Sequence, residues 1–251
     1  MTFSKVRIRF RKSGDLRLVS HLDLMRSFER MLRRAALPFR MTEGFHPTPR
    51  LVFAQSLPLG VVGHAEVAEL ELTEDVEPAE VLRRLREQAP PGIDFLSATA
   101  IPLKTTARPR RAVYRIPVES PPTDLTARIA GLVAATAVWV DRERPRPRRI
   151  NIRPYVDSLT FADGALAVSI WLTQEGSARA DEVAAVVGVI DPPLIERLNL
   201  ELLDEVPPEE AARTPKIEPQ SQPLNRVLTA DRAPAAPRET WGATANGPVV
   251  E

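Results

Sequence analysis

The sequence predicts an α+β fold, and three observations lead to this prediction. The chain opens with a strictly alternating apolar and basic segment, which is typical of a half-buried strand. Amphipathic helical patterns then separate further strand patterns, in the order strand, helix, two or three strands, helix, strand. This order occurs twice along the 251 residues. It is the order of the split βαβ unit, so we expect two tandem ferredoxin-like domains with antiparallel sheets.

The first predicted domain covers residues 1–100 and begins with the strand KVRIRFRK. The apolar residues of this strand would face a core, and its outer face would carry three arginines, Arg7, Arg9 and Arg11. A helix is predicted over residues 20–36, because Ser20 can cap its N-terminus with Asp23 three residues later. Pro38 ends this helix. Its predicted apolar stripe consists of Leu22, Leu24, Met25, Phe28, Met31, Leu32 and Ala35.

The rest of this domain consists of short strands and one more helix. Strands are predicted at residues 38–41, 50–56, 65–72 and 93–98, and a helix at residues 78–88. Alternation in the strand AEVAELEL predicts three exposed glutamates, Glu66, Glu69 and Glu71. The helix has Pro78 in its first turn, a position that proline tolerates well.

A basic, proline-containing linker is predicted over residues 101–111, and a second, degenerate domain over residues 112–206. Its predicted strands are at 112–118, 137–140, 150–159, 165–172 and 195–203, and its predicted helices are at 123–134 and 180–187. The segment RPRPRR, residues 144–149, is predicted to be a solvated basic loop. Four aromatic residues are expected in the core: Tyr114, Trp139, Tyr155 and Trp171. Periodicity ends near residue 207, so residues 207–251 are predicted to be a disordered tail.

The composition excludes several classes of site. The chain has no cysteine, which excludes disulfides, zinc–thiolate sites and cysteine-ligated iron–sulfur clusters and fits a cytoplasmic protein. No apolar run approaches the roughly 20 residues that span a bilayer. The histidines are too far apart in sequence to resemble a metal motif: His21, His46 and His64. We therefore predict no metal and no cofactor.

The net charge of +1 hides a strong asymmetry along the chain. Residues 1–60 carry 12 Lys or Arg against 4 Asp or Glu, whereas residues 65–95 carry 3 against 9. Two further basic blocks follow at residues 104–115 and 142–153. Grouped basic charge is the usual footprint of a surface that binds a polyanion. An arginine-rich composition from a GC-rich genome is the alternative explanation.

The loop Glu43-Gly44-Phe45-His46-Pro47-Thr48-Pro49-Arg50 is the strongest candidate for a binding element. Gly44 permits backbone conformations that are closed to other residues. The two prolines fix their own φ angles and favour extended conformations at the residues before them. The loop is therefore predicted to be stiff, so that it loses little entropy on binding. A plain hairpin corner would have the same composition.

Two sets of candidate residues follow from these patterns. For acid–base chemistry on RNA the candidates are His21, His46 and Asp23, with Lys12 and Arg50 as cations for the phosphate. For binding, arginines would contact phosphates and Phe45 with His46 would contact a base. The predicted nucleic-acid-binding residues are Arg9, Arg11, Arg26, Arg30, Phe45, His46, Arg50, Arg148 and Arg149.

Two long segments resemble a known family. The opening KVRIRFRKSGDLRLVSHLDLMRSFERMLRRAALPF and the following EGFHPTPRLVFAQSLPLGV resemble the bacterial radical-SAM-linked protein family, a domain of unknown function. The later segments RINIRP and EGSAR look like further motifs of that family. The resemblance implies a radical S-adenosylmethionine protein as partner, and any radical chemistry would belong to that partner. The element order also resembles, more loosely, the tandem ferredoxin-like CRISPR repeat-processing endoribonucleases.

Three hypotheses remain at this point. The leading one is a non-catalytic accessory protein that binds RNA, or presents a substrate, for a radical-SAM enzyme. The second is a metal-independent endoribonuclease or RNA-modifying enzyme that uses His21 and His46. The third is a protein–protein adaptor that docks its partner through the acidic segment 66–80 and the tail.

Overall fold

The computed structural model of this chain describes residues 3–143, 146–218 and 220–223. Within these residues the protein is a mixed α+β structure whose sheets are mostly antiparallel, as the sequence predicts. Eight strands form one sheet and three form a second, smaller sheet. No helix in the described ranges is both long and apolar enough to cross a membrane.

The first half of the chain forms one end of the large sheet. Its elements are β1 (Ser4–Lys12), α1 (His21–Arg34), β2 (Leu51–Phe53), β3 (Val61–Leu72), α2 (Pro78–Gln88) and β4 (Ile93–Ala100). β1 lies between β4 and β3, and β2 pairs with the other edge of β3. α1 covers the apolar face of this sheet, where the Phe28 ring meets the Phe10 ring edge-on with centroids 5.0 Å apart. The core of this half is therefore a sheet with its helices on one face.

The second half continues the same sheet. Its elements are β5 (Pro109–Pro117), α3 (Leu125–Ala134), β6 (Trp139–Arg142), β7 (Arg148–Asn151), β8 (Val156–Ala162), β9 (Ala165–Trp171), α4 (Ala180–Val186), β10 (Ile195–Leu202), α5 (Pro208–Ala211) and β11 (Ser221–Pro223). The strand order here is β10-β5-β9-β8, and β6, β7 and β11 form the small sheet. A separate apolar core belongs to this half.

The two halves join where β10 runs parallel to β3, with Ile195 opposite Val61. A buried ion pair strengthens this junction, because the guanidinium of Arg197 donates two hydrogen bonds to the carboxylate of Glu66. Arg197 is only 1% exposed. Gly63 makes room for the pair, since a Cβ at this position would lie 2.6 Å from the Glu66 side chain. Few backbone pairs therefore join β10 to β3, and a buried ion pair holds the two strands together as well.

The burial of the charged side chains of β1 and β3 differs from the sequence prediction. Glu66 and Glu69 are buried and not exposed, and Arg7 is buried as well. Glu66 pairs with β10, and Glu69 accepts two hydrogen bonds from Arg7. Glu66 is opposite Phe10 on the face that α1 covers, whereas Glu69 is opposite Arg7 on the other face, which the turn after β10 covers. The predicted solvent-exposed acidic and basic faces are therefore wrong at these positions.

The boundaries of the predicted linker and tail also shift. β5 begins at Pro109, so the connection after β4 covers residues 101–108 and not 101–111. The predicted tail begins with packed structure, because α5 and β11 lie between residues 208 and 223 and the Ile217 side chain is buried in the second core. The sequence did not predict these short elements, because a proline-rich composition is typical of disordered segments. Residues 219 and 224–251 lie outside the described residues.

Smaller differences concern the strands. The predicted strand at 38–41 is reduced to isolated bridges at Phe39 and Met41. Arg148 and Arg149 of the predicted basic loop begin β7, and residues 144–145 lie outside the described ranges. The strand predicted over residues 150–159 is divided in two, because its first residues belong to β7 and its last ones to β8. Of the four aromatic residues expected in the core, Tyr114 and Tyr155 are buried, Trp171 is half-buried and Trp139 is exposed.

Candidate functional site

The start of α1 is fixed by Ser20, as its sequence predicts. The Ser20 Oγ accepts a hydrogen bond from the backbone N–H of Asp23 over 3.2 Å and also donates to the Asp23 carboxylate over 2.7 Å. Arg26 donates to the same carboxylate over 3.1 Å. The hydrogen bonds from Ser20 and then Arg26 lower the pKa of Asp23. Asp23 is therefore held ionised, which makes it a poor general acid near neutral pH.

The apolar stripe of α1 is narrower than its sequence suggests. The residues that reach the core are Leu24, Phe28, Met31, Leu32 and Ala35. Leu22 is 65% exposed, and Met25 is only partly buried. These two side chains extend the apolar surface of the helix beyond the core. A large exposed leucine next to a partly exposed methionine is a feature that binding surfaces use.

The predicted stiff loop is closed by a pair of threonines, Thr42 and Thr48. The Thr42 N–H donates to the Thr48 carbonyl over 2.7 Å, and the Thr48 N–H donates to the Thr42 hydroxyl over 3.0 Å. A further backbone bond from Arg50 to the carbonyl of Arg40, 2.8 Å long, holds the residues below them. The base of loop 42–49 is therefore fixed on both sides.

The tip of loop 42–49 projects into solvent. Residues 43–48 are all exposed, and the Phe45 side chain is fully so. Gly44 has a φ of +129°, a conformation that a residue with a side chain rarely adopts. The loop thus presents the Phe45 ring and the adjacent imidazole of His46 to solvent.

A cleft of about 160 Å³ separates α1 from the base of this loop. Its lining is mainly apolar, with a cation and a carboxylate at its rim: Leu22, Met25, Arg26, Glu29, Thr48, Pro49 and Leu51. Pockets that hold drug-sized ligands are typically about 300–1,000 Å³, so this cleft fits a single flat or apolar group. We define the cleft-and-loop site as this cleft together with loop 42–49.

The candidate catalytic residues do not form one constellation. The His21 ring meets the Phe53 ring edge-on with centroids 5.4 Å apart, whereas His46 is at the exposed loop tip. No hydrogen bond joins the two rings in the described part of the chain. Lys12 is buried, so its ammonium cannot reach a bound phosphate. The described residues also contain no group of three or more His, Asp or Glu side chains that could hold a metal ion.

The predicted nucleic-acid-binding residues fall in three places. Arg26, Arg30, Phe45 and His46 belong to α1 and loop 42–49. Arg50, just after this loop, is 3.7 Å from the Glu71 carboxylate.

The remaining four arginines lie elsewhere. Arg9 and Arg11 are on the face of β1 opposite α1. Arg148 and Arg149 are in β7 of the small sheet, where Arg149 donates to Asp141 over 2.9 Å. The sequence therefore predicted α1 and loop 42–49, two parts of the cleft-and-loop site, but not the cleft between them. The one available signal was an apolar stripe wider than a core-facing helix needs, at Leu22 and Met25.

Comparisons with known proteins add a family. No curated protein matches the chain. Among solved structures, a match is the crystal structure of an unknown protein from Galdieria sulphuraria, with 10% sequence identity and a TM-score of 0.26, covering 75% of this chain and 89% of that one. We draw no conclusion from a likeness of this size. Residues 5–182 match the family DUF2344, described as an uncharacterized protein conserved in bacteria, and this description makes no reference to radical-SAM proteins. Because the match covers more than half of the sequence, the chain belongs to this bacterial family of uncharacterized proteins.

Proposed function

We propose that this chain is a non-catalytic accessory protein that binds RNA at the cleft-and-loop site. The observation that carries the proposal is the fully exposed Phe45 on a loop with a fixed base, beside a helix that exposes Arg26 and Arg30. Proteins that bind single strands combine aromatic rings, on which bases stack, with cations that follow the backbone. Phe45 supplies the ring, and the two arginines supply the cations.

The cleft offers a second contact to the RNA. A base that stacks on Phe45 has a neighbour on the strand, and the apolar lining of Leu22, Met25 and Leu51 can accept one flat group. Arg26 at the rim already donates to Asp23, so its guanidinium is held in place before a ligand arrives. Loop stiffness reduces the entropy that binding would otherwise cost.

A partner enzyme and a domain architecture belong to the same proposal. Resemblance to radical-SAM-linked proteins is the basis for proposing a radical-SAM partner, and the lack of cysteine is the basis for proposing a reducing compartment such as the cytoplasm. We further infer that each half is a ferredoxin-like unit. The strand orders β4-β1-β3-β2 and β10-β5-β9-β8 support this inference.

Binding of a fluorescently labelled 20-nucleotide oligouridine, followed by anisotropy over a range of salt concentrations, tests the RNA proposal. Phe45→Ala is expected to weaken binding by about 1–3 kcal/mol, the range for one stacked base. Phe45 makes no core contact, so this variant should fold normally. Ile190→Ala is the matched control, since Ile190 is also strongly exposed but lies in the second half.

Charge reversal tests the phosphate contacts. Arg26→Glu/Arg30→Glu is expected to reduce the affinity for oligouridine by at least about tenfold. The slope of the logarithm of the binding constant against the logarithm of the salt concentration should also become less steep by about 1.4, or roughly 0.7 for each lost phosphate contact. Arg128→Glu/Arg179→Glu, two exposed arginines on the second half, is the control. The proposal would be refuted if the affinity for oligouridine did not depend on salt concentration. It would also be refuted if the two double variants lost affinity equally.

A protein–protein adaptor is the second candidate, and the apolar lining of the cleft favours it. Leu22 is a large exposed side chain of the kind that fills a partner's pocket. If this candidate is right, a radical-SAM protein captured from cells by the chain remains bound after nuclease treatment. Leu22→Ala should release it, and oligouridine should not bind.

A further inference from the structure

The outer face of β1 carries a row of three arginines. Arg7, Arg9 and Arg11 occupy every second position, so they share the face opposite α1 and are spaced about 7 Å apart. Such a row is a suitable surface for successive phosphates of an extended strand. Only Arg11 is free among these three, since it is exposed and forms no hydrogen bond or ion pair within the described ranges.

Two carboxylates from the turn after β10 occupy the other two arginines. The Arg7 guanidinium donates to Asp204 over 2.7 Å and to Glu205 over 2.9 Å. Arg9 donates to the second oxygen of Glu205. Carboxylates and phosphates offer arginine the same paired oxygen acceptors. Residues 203–205, the acidic turn, therefore cover the row in the way that a phosphate chain would.

The exposure of these groups shows that solvent reaches the acidic turn and not the arginine beneath it. Asp204 and Glu205 are 30% and 34% exposed, whereas Arg7 is 5% exposed. Burial alone would lower the pKa of Arg7, but the hydrogen bonds that it donates to Asp204, Glu69 and Glu205 raise this pKa overall. Arg7 is therefore a permanent cation that pairs with Glu69 on the neighbouring strand and with the acidic turn on its outer side.

The chain after the acidic turn is attached through the buried Arg110, which donates to the carboxylate and the carbonyl of Glu210 in α5. α5 has only four residues, and none of them is buried. The backbone of the turn has two hydrogen bonds, from the Leu203 N–H to the Arg108 carbonyl over 2.9 Å and from the Glu205 N–H to the Leu202 carbonyl over 3.2 Å. The Asp204 and Glu205 carboxylates keep about a third of their surface in solvent, so they can leave the arginines for water while phosphates of a ligand take their place.

We propose that the arginine row of β1 is a second binding site for the RNA phosphate backbone, which the acidic turn occupies until RNA displaces it. The proposal rests on the proposed function for the identity of its ligand. RNA first contacts the free Arg11. Its next phosphates then exchange with the Glu205 and Asp204 carboxylates on Arg9 and Arg7.

Oligouridine binding by a neutralised turn tests this site. Asp204→Asn/Glu205→Gln is expected to bind the labelled 20-nucleotide oligouridine about five- to tenfold more tightly than the unaltered protein. Glu74→Gln/Asp75→Asn is the matched control, because it removes the same charge from two exposed residues that have no arginine partner in the described part of the chain. Adding Arg11→Glu to the neutralised turn should reverse the gain. Equal affinity of the two neutralised variants would overturn the proposal.

Hydrogen exchange of the unaltered protein provides a test that needs no substitution. Inorganic polyphosphate and oligouridine should each speed amide exchange in residues 203–211 while β1 remains protected, and neither probe should do so in the Arg11→Glu variant. Unchanged exchange with both probes overturns the site. Faster exchange with polyphosphate, combined with no oligouridine binding, supports the phosphate site and rejects the RNA function. Loss of binding on reversing Arg26 and Arg30 alone, without any response of the turn, supports the RNA function and rejects the site.

Discussion

Lys12 is a fully buried lysine at the end of β1. Its ammonium donates to the carbonyl of Val19 over 2.9 Å, and the nearby Glu66 carboxylate attracts it. Burial nevertheless dominates and lowers the pKa of Lys12 below its ordinary value of 10.5. The same carboxylate also pairs with Arg197, so two cations share one anion in the interior.

This shift predicts a dependence of stability on pH. Between the lowered pKa of folded Lys12 and about 10.5, the unfolded chain binds a proton that the folded chain has released, so the free energy of unfolding rises with pH in that window. Lys12→Met should remove this rise. Urea unfolding at several pH values between 7 and 10.5 measures it. Lys104→Met, at an exposed lysine, is the control and should keep the rise. Parallel curves for both variants would show that Lys12 is not the cause.

At the scale of an element, α1 depends on its first turn. The helix begins at His21 because Ser20 caps it, and Arg33 and Arg34 in its last turn complement its dipole. The same helix supplies one wall of the cleft. Its N-terminus therefore affects both stability and the shape of the cleft-and-loop site.

Ser20→Ala should lower the free energy of unfolding by about 1 kcal/mol, since it removes the hydroxyl that accepts from the Asp23 N–H. The chain supplies a matched control in Ser13, which precedes the short 3-10 turn Gly14–Leu18 without capping it through its side chain. Ser13→Ala should change stability much less. Chemical denaturation of both variants measures the difference, and equal losses would argue against a capping role.

Sequence patterns predicted elements whose boundaries are set locally. The helix Pro78–Gln88 agrees with its prediction at both ends, because a proline begins it and Pro90-Pro91-Gly92 follows it. The stiff loop was predicted from its own glycine and prolines in the same way. The burial of Glu66 could not be predicted, because its partner Arg197 is 131 residues away. The cleft was missed for a similar reason, since whether Leu22 is covered depends on the whole tertiary structure.

At the scale of the molecule, the two halves have separate cores but one sheet. Only three residue pairs, Ile195–Arg197 with Val61–Gly63, join β10 to β3. The Arg197 guanidinium of the buried ion pair also donates to the carbonyls of Gln55 and Ser56, over 3.5 and 3.4 Å. Arg197 is therefore one of the side chains through which the halves depend on each other, together with Arg7 and Arg9, which pair with the acidic turn.

Arg197→Gln leaves the Glu66 carboxylate buried without its partner, which typically costs about 3–5 kcal/mol. We expect the coupling between the halves to weaken as a result. Trp139 and Trp171 both lie in the second half, so in a Trp241→Phe background their fluorescence reports on that half, whereas far-UV circular dichroism reports on both. The two urea transitions should coincide in the unaltered protein and separate in the variant. Arg115→Gln, at an exposed arginine in β5, should keep them together.

The distance between Glu66 and Arg197 along the chain also has a consequence during synthesis. When β3 leaves the ribosome, 131 residues must still be added before its buried carboxylate meets a cation on β10. At about 5–20 residues per second this takes roughly 7–26 seconds. Through that interval the nascent first half has an unfinished strand edge, with Val61 and Val62 uncovered beside it. A chaperone that shields such an edge would act on this protein before its second half exists.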